Sequence, residues 1–87
     1  MILCILGTGY VGLVTAACLA EMGNDVRCVD VNEQIVETLK KGKIHIHEPG
    51  LEPMVQRNYK EGRLSFTTSL AEGIDGAVAV FICVGTP

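Results

Sequence analysis

The chain opens on an unbroken apolar run, Met1 to Leu6, of strand length and followed at once by glycine. Such a run suits a parallel strand buried on both faces, and the glycines turn the chain sharply at its end. From Tyr10 to Met22, the apolar residues Val11, Val14, Cys18, Leu19 and Met22 recur at helical spacing, and Gly23-Asn24 supplies a left-handed C-cap. Val26 to Val29 predicts a second strand ending at Asp30. Asn32 then caps a helix with the stripe Ile35, Val36 and Leu39. Glu33 and Glu37 lie early in that helix, Lys40 and Lys41 late, and Gly42 ends it, as the helix dipole favours.

The stretch from Lys43 to Gly50 is irregular. Its Glu48-Pro49-Gly50 leads into a helix from Leu51 to about Lys60, with Pro53 tolerated in the first turn. Leu64 and Phe66 alternate with polar neighbours, which predicts a short strand near the sheet edge, and Ser69 with Glu72 forms a capping box for a brief helix. After the Asp75-Gly76 turn, Ala77 to Val84 predicts a last strand, apolar on both faces and therefore central. The order β-α-β-α-α-β-α-β implies an α/β fold: a Rossmann-type parallel sheet with helices on both faces, first half only.

Composition narrows the function. The 87 residues carry 48% apolar but only 5% aromatic side chains, as expected of β-branched strands covered by helices. Seven basic against ten acidic residues leave a charge of −3, with Lys40, Lys41 and Lys43 as the only basic cluster, at a helix end. Nothing here grips a nucleic-acid backbone. The first twenty residues lack charge, which raises the question of a membrane span or signal peptide. However, no Lys or Arg precedes the run, and Gly7, Gly9 and Gly12 interrupt it. Cys4, Cys18, Cys28 and Cys83 form no Cys-x-x-Cys pair and each sits in an apolar run, so they read as buried thiols in a reducing cytoplasm.

The chemistry lies in Gly7-Thr8-Gly9-Tyr10-Val11-Gly12, between a predicted strand and a predicted helix, with Asp30 at the end of the next strand. In that context the pattern is a dinucleotide-binding fingerprint. Gly7 permits the turn, Gly9 lets the backbone approach a pyrophosphate, and Gly12 lets the helix pack closely on the strand. Tyr10 and Val11 contribute backbone N–H groups at the helix start, a ready anion site. Asp30 accepts hydrogen bonds from the adenosine ribose, which selects NAD over NADP because a 2′-phosphate meets a like charge there. A P-loop is excluded, since no Gly-Lys-Ser/Thr follows.

Three segments then become recognisable: Gly7-Thr8-Gly9-Tyr10-Val11-Gly12-Leu13, Ile46-His47-Glu48-Pro49-Gly50-Leu51-Glu52 and Phe81-Ile82-Cys83-Val84-Gly85-Thr86-Pro87. Together they resemble the N-terminus of the UDP-glucose 6-dehydrogenase family, which also holds GDP-mannose and UDP-N-acetylmannosamine dehydrogenases. The resemblance covers the whole chain. It implies that residues 1–87 are the N-terminal part of an NAD-binding domain, with the substrate domain absent. It also implies a parent oxidoreductase of nucleotide-sugar metabolism and polysaccharide biosynthesis that takes a C6 alcohol to a carboxylate with two NAD, through a thiohemiacetal and thioester on a downstream Cys. None of the four Cys here matches that nucleophile. The backbone of Val11, the carboxylate of Asp30 and the hydroxyl of Thr86 are implied cofactor contacts. The family often places Lys five residues after the aspartate, where this chain has Ile35.

Two other classes share parts of the pattern. A methyltransferase using S-adenosylmethionine also ends its first strand in glycines, but its cofactor has no pyrophosphate to cradle. A non-catalytic NAD-sensing module would differ only in lacking the downstream Cys motif. His45 and His47 are too few ligands for a zinc site, and His47 stands where the family usually has an aromatic. The expected partners are NAD and, in the parent enzyme, a nucleotide sugar. A sheet ending after its first half leaves the last strand's outer edge uncovered, which predicts association and a homo-oligomer.

Overall fold

The computed structural model describes residues 1–46 and 48–84. Strand β1 (Ile2–Leu6) lies inside a four-stranded parallel sheet of order β3-β2-β1-β4. It pairs with β2 (Asp25–Val29) in the register Ile5 to Cys28, and with β4 (Ala79–Ile82) in the register Ile5 to Phe81. Strand β3 (Leu64–Thr67) extends the sheet beyond β2. The fold is Rossmann-like. Sheet order reverses between β1 and β4, the switch point where such sheets bind ligands beyond the carboxyl ends of their strands.

Helices α1 (Tyr10–Glu21), α2 (Glu33–Lys40) and α3 (Leu51–Lys60) share one core with the sheet. In it Ile5, Cys28, Leu64 and Phe66 meet Leu13, Ala17, Leu39 and Val55. The short α4 (Leu70–Ile74) covers the opposite face: a Cβ at Gly73 would lie 3.2 Å from Cys4 Sγ and 2.2 Å from Val29 Cγ2. On that face Arg27 donates from β2 to the carbonyls of Glu72 and Asp75, the cation at a helix C-terminus that the dipole favours.

Two caps follow the sequence pattern. Asn32 Oδ1 accepts from Gln34 N–H and Ile35 N–H at 3.0 and 3.2 Å. Gly23, at φ 99°, closes α1 while Asn24 N–H reaches the Leu19 carbonyl.

Four expectations need correction. The buried face of α1 is Gly12, Leu13, Ala16, Ala17 and Ala20, whereas Val11, Cys18 and Met22 face solvent and Val14 and Leu19 are only partly covered. The helix lies close to the sheet, so its small residues turn inward. Cys18 is therefore an exposed thiol and Cys83 a half-buried one. Strand β4 is an edge strand of the described sheet rather than a central one, with Val80, Phe81 and Ile82 exposed. The capping box is half formed: Ser69 Oγ accepts from Glu72 N–H at 3.3 Å, but the Glu72 carboxylate is taken by the Thr67 hydroxyl at 2.8 Å.

Candidate cofactor site

The site forms where β1 and β2 end. Gly7 N–H continues the sheet to the Val29 carbonyl at 2.8 Å, and the chain then turns through Gly7 at φ 97°. A Cβ at Gly7 would sit 3.0 Å from the backbone of Cys83 and Val84. At Gly12 a Cβ would fall 1.9 Å from the Gly7 carbonyl oxygen, so the first turn of α1 rests directly on the glycine loop. The fold itself therefore demands glycine at both positions.

Gly9 differs. Its backbone, at φ −69° and ψ −168°, is open to any residue, and a Cβ there would meet no protein atom within 4 Å. Packing within the protein does not require glycine here, and the open face leaves room for a ligand against the loop. Gly9 is also the N-cap of α1, with no side-chain cap and no acidic residue in the first turn. The helix ladder begins with Leu13 N–H to the Gly9 carbonyl at 2.9 Å, which leaves the preceding N–H groups of Tyr10, Val11 and Gly12 without helical partners. These groups and the positive dipole end suit a pyrophosphate. The Tyr10 and Val11 side chains are 53% and 62% exposed, so neither fills the space above the loop as core.

Asp30 is joined to this loop. Its Oδ2 accepts from Thr8 N–H at 2.9 Å and from the Thr8 hydroxyl at 2.7 Å, and its Oδ1 accepts from Asn32 N–H at 2.9 Å. Partial burial pushes the carboxyl pKa up. The bonds from Asn32 and Thr8, together with the charge of His45, more than offset this and hold it below the usual aspartate value. The group is an anion at neutral pH.

An apolar cleft of about 240 Å³ runs beside the carboxylate, lined by Leu6, Gly7, Val29, Asp30, Val31, Thr68, Leu70 and Val84. Val31 and Leu70, 92% and 51% exposed, offer it flat apolar surface. Two larger depressions, one around Ile44 to Glu52 and one between α2 and α4, have no glycine-loop residue in their lining. They lack its unpaired N–H groups, so the smaller cleft at the strand ends is the better dinucleotide site.

The structure thus brings together Gly7, Gly9, Tyr10, Val11, Gly12 and Asp30. Thr86 lies outside the described residues, as does His47 of the histidine pair. Among the described residues no cluster of three metal-binding side chains occurs. Ile35 packs against the core, so that position brings no cation to the site. Thr8 was illegible as a site residue because its partner lies 22 positions away. Glu48 is a second residue the spacing did not indicate: its charge and a hydrogen bond from the Tyr10 hydroxyl raise the phenol pKa, which sets the Glu-Pro-Gly segment beside the glycine loop.

Comparison with known proteins agrees with this geometry. Residues 1–87 match the family described as UDP-glucose/GDP-mannose dehydrogenase family, NAD binding domain. The chain is 56% identical to a UDP-glucose 6-dehydrogenase of Pseudomonas aeruginosa over 87 residues, covering all of this chain and 19% of that protein. It is 46% identical to a GDP-mannose 6-dehydrogenase of Pseudomonas putida over 83 residues, covering 95% of this chain and again 19% of the relative. The chain therefore spans about a fifth of the length of these curated relatives. Among solved structures it is similar to a ternary complex of GDP-mannose dehydrogenase from Pseudomonas aeruginosa, with TM-score 0.95 and 44% identity over 100% of this chain and 20% of that one. A UDP-glucose dehydrogenase from Pyrobaculum islandicum gives TM-score 0.91 and 49% identity over 98% of this chain and 20% of the other.

Proposed function

The chain belongs to the UDP-glucose/GDP-mannose dehydrogenase family as its NAD-binding domain, and on that premise we propose that it serves a nucleotide-sugar 6-dehydrogenase converting UDP-glucose to UDP-glucuronate with two NAD. The observation that carries the binding role is Gly9, whose bare backbone lies open to a ligand at the head of a helix with no side-chain cap. NAD supplies the hydride acceptor when bound. The residues of this chain hold it: the N–H groups following Gly9 take the pyrophosphate, Gly7 and Gly12 keep the loop flat, and Asp30 accepts from the adenosine ribose. The apolar cleft beside Val31 takes the adenine, and the Thr86 hydroxyl adds a further contact.

The chain contributes binding and no nucleophile. Cys4 and Cys28 are buried, with thiol pKa values pushed up by that burial, a setting for inert packing groups. The reading includes a cytoplasmic setting, consistent with the free thiols, and a homo-oligomeric parent enzyme. UDP-glucose is favoured over GDP-mannose by the higher identity of its relative, 56% against 46%. UDP-N-acetylmannosamine is a third option.

Titration of the full-length protein tests the site. NAD binds more tightly than NADP, and Asp30→Ala weakens NAD by roughly ten- to a hundredfold while narrowing the gap, since charge-assisted hydrogen bonds contribute about 1.5–3 kcal/mol. Equal affinity for the two cofactors overturns the assignment of Asp30. Turnover assayed with each of the three nucleotide sugars tests the substrate: a higher kcat/KM with GDP-mannose replaces UDP-glucose and leaves the cofactor site standing.

A further inference from the structure

In a glycine-x-glycine turn the middle residue has glycine on both sides, so its side chain is free to point to solvent. Thr8 does not: it is 1% exposed and its hydroxyl lies 2.7 Å from Asp30 Oδ2. We propose that Thr8 is a positioning residue for the cofactor, fixing the Asp30 carboxylate so that one acceptor direction, on Oδ1, faces the adenosine ribose. This rests on the reading of Asp30 as the ribose acceptor given above.

The count of hydrogen bonds carries the inference. An ionised carboxylate has about four acceptor directions. Thr8 N–H and the Thr8 hydroxyl take two on Oδ2, and Asn32 N–H takes one on Oδ1. A single direction remains, on Oδ1. Three donors from two segments, the β1–α1 loop and the start of α2, hold the group about its terminal torsion, which is otherwise broad and roughly two-fold.

The same bonds couple two subsites. The loop that presents the helix N–H groups to a pyrophosphate is the loop that holds the ribose acceptor, so both halves of the ligand meet one rigid unit. A carboxylate already fixed loses no rotational freedom when the ribose arrives, and such preorganisation raises affinity without adding a contact. NADP gains nothing from it, because its 2′-phosphate cannot use the carboxylate as an acceptor.

The test is isothermal titration of NAD and NADP into the full-length protein carrying Thr8→Val, Thr8→Ser or Asp30→Ala. Valine keeps the shape and removes the hydroxyl. NAD affinity is expected to fall about three- to tenfold, the worth of one net hydrogen bond, while NADP affinity stays within about twofold, so the NAD:NADP ratio falls with the first. Thr8→Ser restores the ratio. A Thr8 that merely supports the loop would move both cofactors together, and that outcome overturns the proposal, as does Thr8→Val binding NAD like the wild type. Should valine prevent folding, Thr8→Ala deletes the same hydroxyl in a smaller side chain and is held to the same ratio. The two readings fail separately: unchanged NAD affinity in Asp30→Ala removes the ribose assignment itself, whereas a weakened Asp30→Ala beside an unaffected Thr8→Val removes only the role of Thr8.

Discussion

Gly9→Ala and Gly12→Ala add the same methyl group three residues apart, and the structure predicts a large loss of stability only at Gly12 but weaker binding in both. At Gly12 the new Cβ would lie 1.9 Å from the Gly7 carbonyl oxygen and 2.9 Å from its carbon. The usual separation of such atoms is above 3 Å, so helix and loop must part by more than 1 Å. Overpacking of that kind costs about 1–3 kcal/mol, here at the high end because both partners are backbone. At Gly9 the methyl meets no protein atom within 4 Å. Reduced freedom of the unfolded chain stabilises Gly9→Ala by about 0.4–1 kcal/mol. Alanine is the poorer N-cap by a similar amount, so the two effects offset and the net change stays within about 1 kcal/mol. Binding falls in both. Gly9→Ala places its methyl where the pyrophosphate must approach, and Gly12→Ala displaces the loop that approaches it; each is expected to weaken NAD at least tenfold, about 1.4 kcal/mol. Thermal melts paired with NAD titrations check the pair. A Gly9→Ala protein that binds NAD normally would refute the reasoning, because the open space over Gly9 would then have no ligand to explain it.

Three further outcomes concern a buried amide, the thiols and the Asp30 carboxyl. Asn58, fully buried, donates to the Met54 carbonyl at 2.8 Å and to Glu21 at 3.0 Å and accepts from Arg63 at 2.9 Å. Asn58→Leu is expected to lower stability by about 1–3 kcal/mol from the Met54 and Arg63 bonds alone, measured by urea unfolding. Brief alkylation of the native protein at pH 8, read by mass spectrometry, labels exposed Cys18 first and leaves Cys4 and Cys28 unmodified until the protein unfolds, since burial both hides those thiols and raises their pKa. The depressed pKa of Asp30 means the unfolded chain takes up that proton first as pH falls. Its contribution to stability is therefore complete above the ordinary aspartate value of 3.8 and lost as pH drops through the lower folded value, so Asp30→Asn flattens the acid limb of the stability profile below about pH 4.

What was legible in the sequence was local. The strand, the glycine turn, the helix start and the acid after the next strand each show within a few residues, and the glycine spacing carries its own geometry: Gly7 at φ 97° and Gly12 against the Gly7 carbonyl. The face of α1 was not legible. A helix apolar almost all round has no stripe to read, and packing close to the sheet selected the side with Gly12, Ala16, Ala17 and Ala20 over the bulkier Val11 and Met22. In strand β4 the apolar residues on both faces were legible, and Val80 and Ile82, 45% and 74% exposed, lie on the edge of the described sheet that a half-sheet leaves uncovered.

Side-chain pairs distant in sequence are the deeper limit, and Asp30 shows what they change. Read from spacing alone, its carboxylate is an acceptor with every direction open to the ribose. In the folded chain the donors from Thr8 and Asn32 occupy three of about four directions. Asp30 closes the glycine loop onto β2 and, on the proposed reading, offers the ribose one direction. The first belongs to the protein and the second to the ligand. Removing the carboxylate strips a charge-assisted partner from the Thr8 hydroxyl as well as from NAD, so part of any affinity lost in Asp30→Ala reports a loosened loop. Thr8→Val leaves the charge and the Thr8 N–H bond in place and removes one of the three donors that hold the carboxylate, and the difference between the two variants separates holding the acceptor from being it.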